Sequence, residues 1–128
     1  MECNYLSLSK DKDGKLGLMQ VEINQILFAL YDGIDNRIIV HTIEGTFYTM
    51  GTLKFFTESL NATGYHFRIC DRNSTVNVDR IVYLEPNSKM AFFEWPTTSK
   101  SKRCAISGEN FRKLIKELPG THTSLAFG

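Results

Sequence analysis

The chain has 128 residues, 42% of them hydrophobic, and carries a net charge of +1 at pH 7, so it is long enough to bury roughly two-thirds of its unfolded surface around one core. No apolar run approaches the roughly 20 residues a membrane helix needs, and the opening MECNYLSLSKDKDG lacks the apolar centre of a secretory signal, so no membrane partner is expected and the expected address is the cytoplasm. Cys3, Cys70 and Cys104 are odd in number and widely spaced, which excludes a disulfide framework and a zinc site built on a C-x-x-C pair. Buried free thiols are the expectation, with a redox pairing of Cys70 and Cys104 as the alternative.

Taken in order, the chain reads mainly as short strands. Tyr5, Leu6 and Leu8 precede the charged turn Lys10-Asp11-Lys12-Asp13-Gly14-Lys15, and the apolar signal resumes at Leu16 and Leu18, which predicts a hairpin. Asp11 and Asp13 lack the further carboxylates that a calcium loop requires, since only Glu22 follows within reach. Val21 to Asn24 reads as a short turn of helix, and Ile26-Leu27-Phe28-Ala29-Leu30-Tyr31 as a core strand. A polar loop from Asp32 to Arg37, the strand Ile38-Ile39-Val40, the turn at Glu44-Gly45 and the strand Phe47-Tyr48 complete a three-strand meander. A helix starts near Thr52, with Leu53, Phe56 and Leu60 as its apolar stripe and Gly64 as its stop.

From Phe67 the pattern changes. Phe67, Ile69, Val76 and Val78 read as buried, while Arg68, Asp71, Arg72, Asn73 and Arg80 read as exposed, and Asp71-Arg72-Asn73-Ser74 is a turn between the two apolar pieces. Arg and Asn are the side chains that pair with base edges, Arg with guanine and Asn with adenine. Strands at Ile81 to Leu84, Met90 to Trp95 and Cys104 to Ile106 follow, separated by turns at 86–89 and 96–102. Ser107 is placed to cap a closing helix with Asn110 three residues on; Phe111, Leu114, Ile115 and Leu118 line its apolar side, and Pro119-Gly120 ends it. The tail from Thr121 to Gly128 gives no structural signal.

Charge is unevenly divided. Residues 1–66 hold five basic and eight acidic groups, giving −3, and residues 67–128 hold ten basic and six acidic groups, giving +4. The second half is therefore the polyanion-facing candidate. His41, His66 and His122 fall in no metal-ligand spacing, and neither a phosphate-binding glycine loop nor a nucleophile elbow is present. No catalytic residue, metal site or cofactor is assigned.

The order of features resembles a LytTR-type DNA-binding domain from about Leu16 to Leu118. Ile26-Leu27-Phe28-Ala29-Leu30 corresponds to the family's I-x-Y-I-E strand and Thr52-Leu53-Lys54 to its T-L helix start. Phe67 to Asn77 is similar to its F-x-R-x-H-R-S-x-x-V-N block, and Ile106-Ser107 to its final V-S. Here Asp71 stands for the family's His, Asn73 for its Ser, and Gly108-Glu109 for the basic residue after V-S.

The resemblance implies a mainly β domain, an elongated stack of small antiparallel sheets with one or two short helices, whose loops enter the major groove of double-stranded DNA. Residues 1–15 would be an N-terminal strand and turn of the same domain, 16–118 the DNA-binding domain and 119–128 a tail. The implied loops are Asp35-Asn36-Arg37, Arg72-Asn73 and Ser107 to Asn110, with Asn77 holding the loop through backbone hydrogen bonds. Arg72 would read a base edge, Asn73 and Asn36 would bond base or sugar, and Arg37, Lys54, Arg112 and Lys113 would position the phosphate backbone. Tandem half-sites about one helical turn apart, and a homodimer on them, follow from the same resemblance. The implied function is that of a bacterial transcriptional regulator with no receiver domain in these 128 residues, either standing alone or cut from a longer chain. The competing expectation is a β-rich protein-interaction module that presents Phe92, Phe93 and Trp95.

Overall fold

The run Ile26–Tyr31 is continuously apolar because the strand it forms is covered on both faces. The structure, a computed structural model, describes residues 4–119; Cys3, His122, Gly120 and the tail lie outside them. In chain order the elements are β1 (Tyr5–Ser9), β2 (Leu18–Glu22), a 3-10 turn (Ile23–Gln25), β3 (Ile26–Asp32), β4 (Arg37–Thr42), β5 (Thr46–Thr49) and α1 (Leu53–Ala62). These are followed by β6 (Phe67–Asp71), β7 (Ser74–Asn77), a second 3-10 turn (Val78–Arg80), β8 (Tyr83–Glu85), β9 (Met90–Phe92), β10 (Arg103–Ala105) and α2 (Gly108–Glu117). The strands form two antiparallel sheets, one of seven in the order β2-β1-β5-β4-β3-β7-β6 and one of three in the order β10-β9-β8. The mainly β fold with two helices is as the sequence predicts.

Side chains leave β3 alternately to two cores. Ile26 and Ala29 join Ile38, Val40, Leu53, Phe56, Leu60 and Phe67 under α1, whereas Leu27 and Phe28 join Val76, Leu84, Cys104, Phe111 and Leu114 under the small sheet and α2. A register shift between Ile26 and Phe28 lets two consecutive residues face the second core. A strand buried on both sides has no polar position to give up, hence the unbroken run. α1 is capped by Thr52, whose hydroxyl accepts the Phe55 N–H at 3.0 Å. Thr57 on α1 meets Thr75 on β7 through a buried hydroxyl pair at 2.8 Å.

Several local expectations shift. Leu16 is 68% exposed and outside the strand, because its N–H is held at 2.9 Å by the Asp11 carboxylate. Asp11 also accepts the Lys15 and Asp13 N–H groups, so its oxygens shape the turn. Ile69, expected to be buried, is 39% exposed: it shares a face with Phe67 but lies where the cover of α1 ends. β9 stops at Phe92 rather than Trp95, since Phe93 turns inward to stack on Phe28 at 5.4 Å and Glu94 accepts the Ser101 hydroxyl. Cys70 and Cys104 are free and buried, and burial first of all pushes their thiols up to about 12 and about 11.

Asn77 does bond backbone, but at the opposite end of β7 from the 72–73 turn: its Nδ2 donates to the Ile26 carbonyl at 2.9 Å, at the register shift of β3. It thus fastens the start of β3 rather than a loop. Asn77→Ala should destabilise the fold by about 1–2 kcal/mol in urea denaturation, and Asn77→Asp, which loses the donor and buries a charge, by more. An Asp variant as stable as the wild type would remove this role.

The segment 93–102 is pinned across the sheet by Lys102, which donates to the Gly45 carbonyl and to His41 Nδ1, each at 3.3 Å. His41 stacks on Phe28 at 4.5 Å between ring centroids. Burial, and then the Lys102 charge, lowers its pKa from 6.5 to about 4. A depressed histidine pKa means that the unfolded chain takes up the proton first, so stability falls as pH drops from about 6.5 towards about 4. Thermal unfolding of His41→Phe should show a weaker loss over that window than the wild type; equal losses would contradict the assignment.

Candidate nucleic-acid interface

Strand registers bring the polar connections to one end of the large sheet. Asp32 pairs with Arg37, so the β3–β4 loop at 33–36 closes this end. Leu30 pairs with Ser74, which sets the β6–β7 turn at 72–73 beside it. Ile38 pairs with Thr49, so the first turn of α1, with Lys54, starts here too, and the pairing of Ser9 with Tyr48 adds the β1–β2 turn.

Two residues tie the loops to one another. Tyr31, at the end of β3, donates its backbone N–H to the Asn73 carbonyl at 2.9 Å and its phenolic hydroxyl to Asn36 Oδ1 at 2.9 Å. Cys70 is skipped by the β6–β7 ladder, which shifts register between Ile69 and Asp71. Its carbonyl accepts the Ser107 N–H at 2.9 Å and Asn110 Nδ2 at 3.3 Å, docking the start of α2 beside the 72–73 turn. Ser107 occupies the cap position as expected, yet its hydroxyl takes the Asn110 amide at 2.9 Å rather than a backbone N–H.

Tyr31, Lys54, Ile69, Arg72 and Asn73 share a shallow hollow of about 320 Å³. The structure therefore gathers Asn36, Lys54, Arg72 and Asn73, with α2 and its exposed Arg112 and Lys113 adjacent. Arg37 departs from the expectation of a phosphate contact. Its Nε donates to the Lys12 carbonyl at 2.6 Å and its Nη1 to those of Asp35 and Asn36 at 2.8 and 3.2 Å, so the guanidinium braces the loop from within.

The carboxylates at this end are each engaged. Asp32 accepts the Ile34 N–H at 3.0 Å, and Asp71 the Arg72 N–H at 2.7 Å. Asp35 pairs with Lys12 at 2.9 Å, which holds its pKa below the usual carboxylate range, and Glu109 pairs with Lys113 at 3.6 Å. Among the described residues Lys54, Arg72, Lys89 and Arg112 form no ion pair. Charge at the surface is thereby tilted towards the cations.

Sequence reasoning passed over Lys89 and the Tyr31 hydroxyl. Ile106 donates its N–H to the Lys89 carbonyl at 3.0 Å, and a Cβ added to Gly108 would lie 3.5 Å from Lys89 Cε and 3.9 Å from Arg112 Nη1. Lys89 and Arg112 thus both lie against the first turn of α2, where backbone N–H groups already favour anions. No local pattern announces Lys89, because the 86–89 turn meets α2 only through the fold. Tyr31 carried a signal: a hydroxyl at the last place of an apolar run, beside a polar loop.

The aromatic face of the competing expectation is mostly core. Phe92 is 5% exposed and covered by the Arg103 guanidinium at 4.8 Å, Phe93 packs on Phe28, and Trp95, half exposed, leans on Tyr83 at 4.7 Å. Among the described residues no cluster of His, Cys, Asp and Glu could hold a metal ion, and no helix is long and apolar enough to cross a membrane.

The sequence model of the LytTr DNA-binding domain matches residues 17–118. A solved structure of the LytTr DNA-binding domain of a protein described as a methyl-accepting/DNA response regulator from Bacillus cereus is similar in fold, with a TM-score of 0.61 at 21% identity. The alignment covers 88% of this chain and 96% of that one. Comparison with curated proteins gives no match.

Proposed function

The chain belongs to the LytTr DNA-binding domain family, and from that premise we propose that it binds double-stranded DNA sequence-selectively, as a bacterial transcriptional regulator acting in the cytoplasm. The loop-bearing end of the large sheet enters the major groove, in place of a recognition helix. The observation that supports this most is the joining of the three polar loops through Tyr31 and the Cys70 carbonyl. Loops fixed to one another meet a duplex without a large ordering cost, which separate flexible loops would carry.

Within that reading the side chains divide by chemistry. Arg72 offers a planar fork of donors at the tip of a two-residue turn and reads a base edge, guanine by preference. Asn73 and Asn36 add hydrogen bonds to base or sugar from either side of Tyr31. Lys54, Lys89, Arg112 and Lys113 hold phosphates, and so set affinity and register rather than sequence. Arg37 acts at one remove, by shaping the loop that carries Asn36. Two copies on tandem half-sites about one helical turn apart would place two such surfaces on one face of the duplex.

Selection of bound duplexes from a random pool supplies the site and its half-site spacing. On that duplex, fluorescence anisotropy should show Arg72→Ala losing about 1–3 kcal/mol and relaxing sequence preference, whereas Lys113→Ala weakens all sequences alike and flattens the salt dependence. Unchanged affinity in both variants would rule out this surface.

A further inference from the structure

The geometry points to the β1–β2 turn, residues 10–16, as an additional DNA-contacting segment that lays Lys10 and Lys15 on phosphates flanking the three-loop surface, an inference that rests on the DNA-binding reading of that surface. The family match begins only at residue 17, so nothing in it assigns a role to this turn. Position is the first argument: through β5, the Ser9–Tyr48 and Ile38–Thr49 pairings carry the turn to the end of the sheet that holds the 33–36 loop.

The turn is also fastened there. Arg37 donates from Nε to the Lys12 carbonyl at 2.6 Å, Lys12 Nζ meets Asp35 Oδ2 at 2.9 Å, and Arg37 Nη2 lies 4.0 Å from Asp13 Oδ1. Inside the turn the Asp11 carboxylate accepts three backbone N–H groups, from Leu16, Lys15 and Asp13. Gly14, at φ 75°, supplies the left-handed residue that lets the chain fold back on Asp11. A polar tip held in this way loses little freedom when it meets a partner.

Charge supports the same placement. Asp11 is turned onto amides, Asp13 faces Arg37, and Lys12 cancels the Asp35 charge that would otherwise repel phosphate. Lys10 and Lys15 are exposed and in no ion pair among the described residues; Lys15 feels the Asp11 charge, but that carboxylate is held on backbone amides, so both ammonium groups stay open to an outside anion. The turn therefore widens the electrostatic footprint beside Asn36 without reading sequence.

The test uses the full chain with Lys10→Gln and Lys15→Gln combined, titrated by anisotropy against a labelled duplex that extends a helical turn beyond the selected site on each side. Both residues are exposed, so the melting temperature should not change. Two lost phosphate contacts flatten the slope of log K on log salt by about 1.8, so between about 50 and about 200 mM salt the variant should lose about tenfold less affinity than the wild type. Its preference for the selected duplex over a scrambled one should stay as in the wild type. A wild-type chain that binds with a salt slope identical to the variant's overturns the role of the turn alone. A wild-type chain that binds no duplex overturns the DNA reading, and this inference with it.

Discussion

Tyr31 holds the loop-bearing end together by bonding in two directions. Its backbone N–H fixes the 72–73 turn through the Asn73 carbonyl, and its phenol fixes the 33–36 loop through Asn36. The strand that carries it is buried on both faces through most of its length, so these bonds are anchored to a close-packed strand. The bulge at Cys70 does the same for α2, by freeing a carbonyl from the ladder for Ser107 and Asn110. A backbone irregularity thereby joins the helix start to the turn, and hydrogen bonds link the three loops to one another.

Electrostatics follows from that geometry. The turn and loop carboxylates at this end are set against N–H groups or against the ammonium groups of Lys12 and Lys113. The Asp71 carboxylate accepts the Arg72 N–H and so shapes the turn that carries the guanidinium. Likewise Lys89, from the turn before β9, reaches the first turn of α2 beside Arg112, so two cations border Gly108.

Much of this was legible in the sequence, for physical reasons. Alternation and turn chemistry gave the hairpins, the apolar stripe of Leu53, Phe56 and Leu60 gave α1, and the unbroken run at Ile26–Tyr31 announced a core strand. What local pattern does not encode was missed. Ile69 obeys the alternation yet lies beyond the cover of α1, Phe93 abandons its strand for a ring on β3, and Asn77 fastens the far end of β7. Arg37 reads as a free cation in the sequence, and only the docking of a turn about 25 residues upstream, by the separation of its Lys12 contact, turns it inward. Long-range contacts decide each of these cases.

The coupling of the loops is best tested by following backbone amide resonances of the isotope-labelled chain while the selected duplex is added. Amides of residues 31–37, 70–73 and 107–112 should shift together, along one binding curve, with those of the Tyr83–Trp95 face unmoved. Shifts confined to a single loop, or centred on the aromatic face, would contradict a recognition surface built by joining three loops at Tyr31 and Cys70.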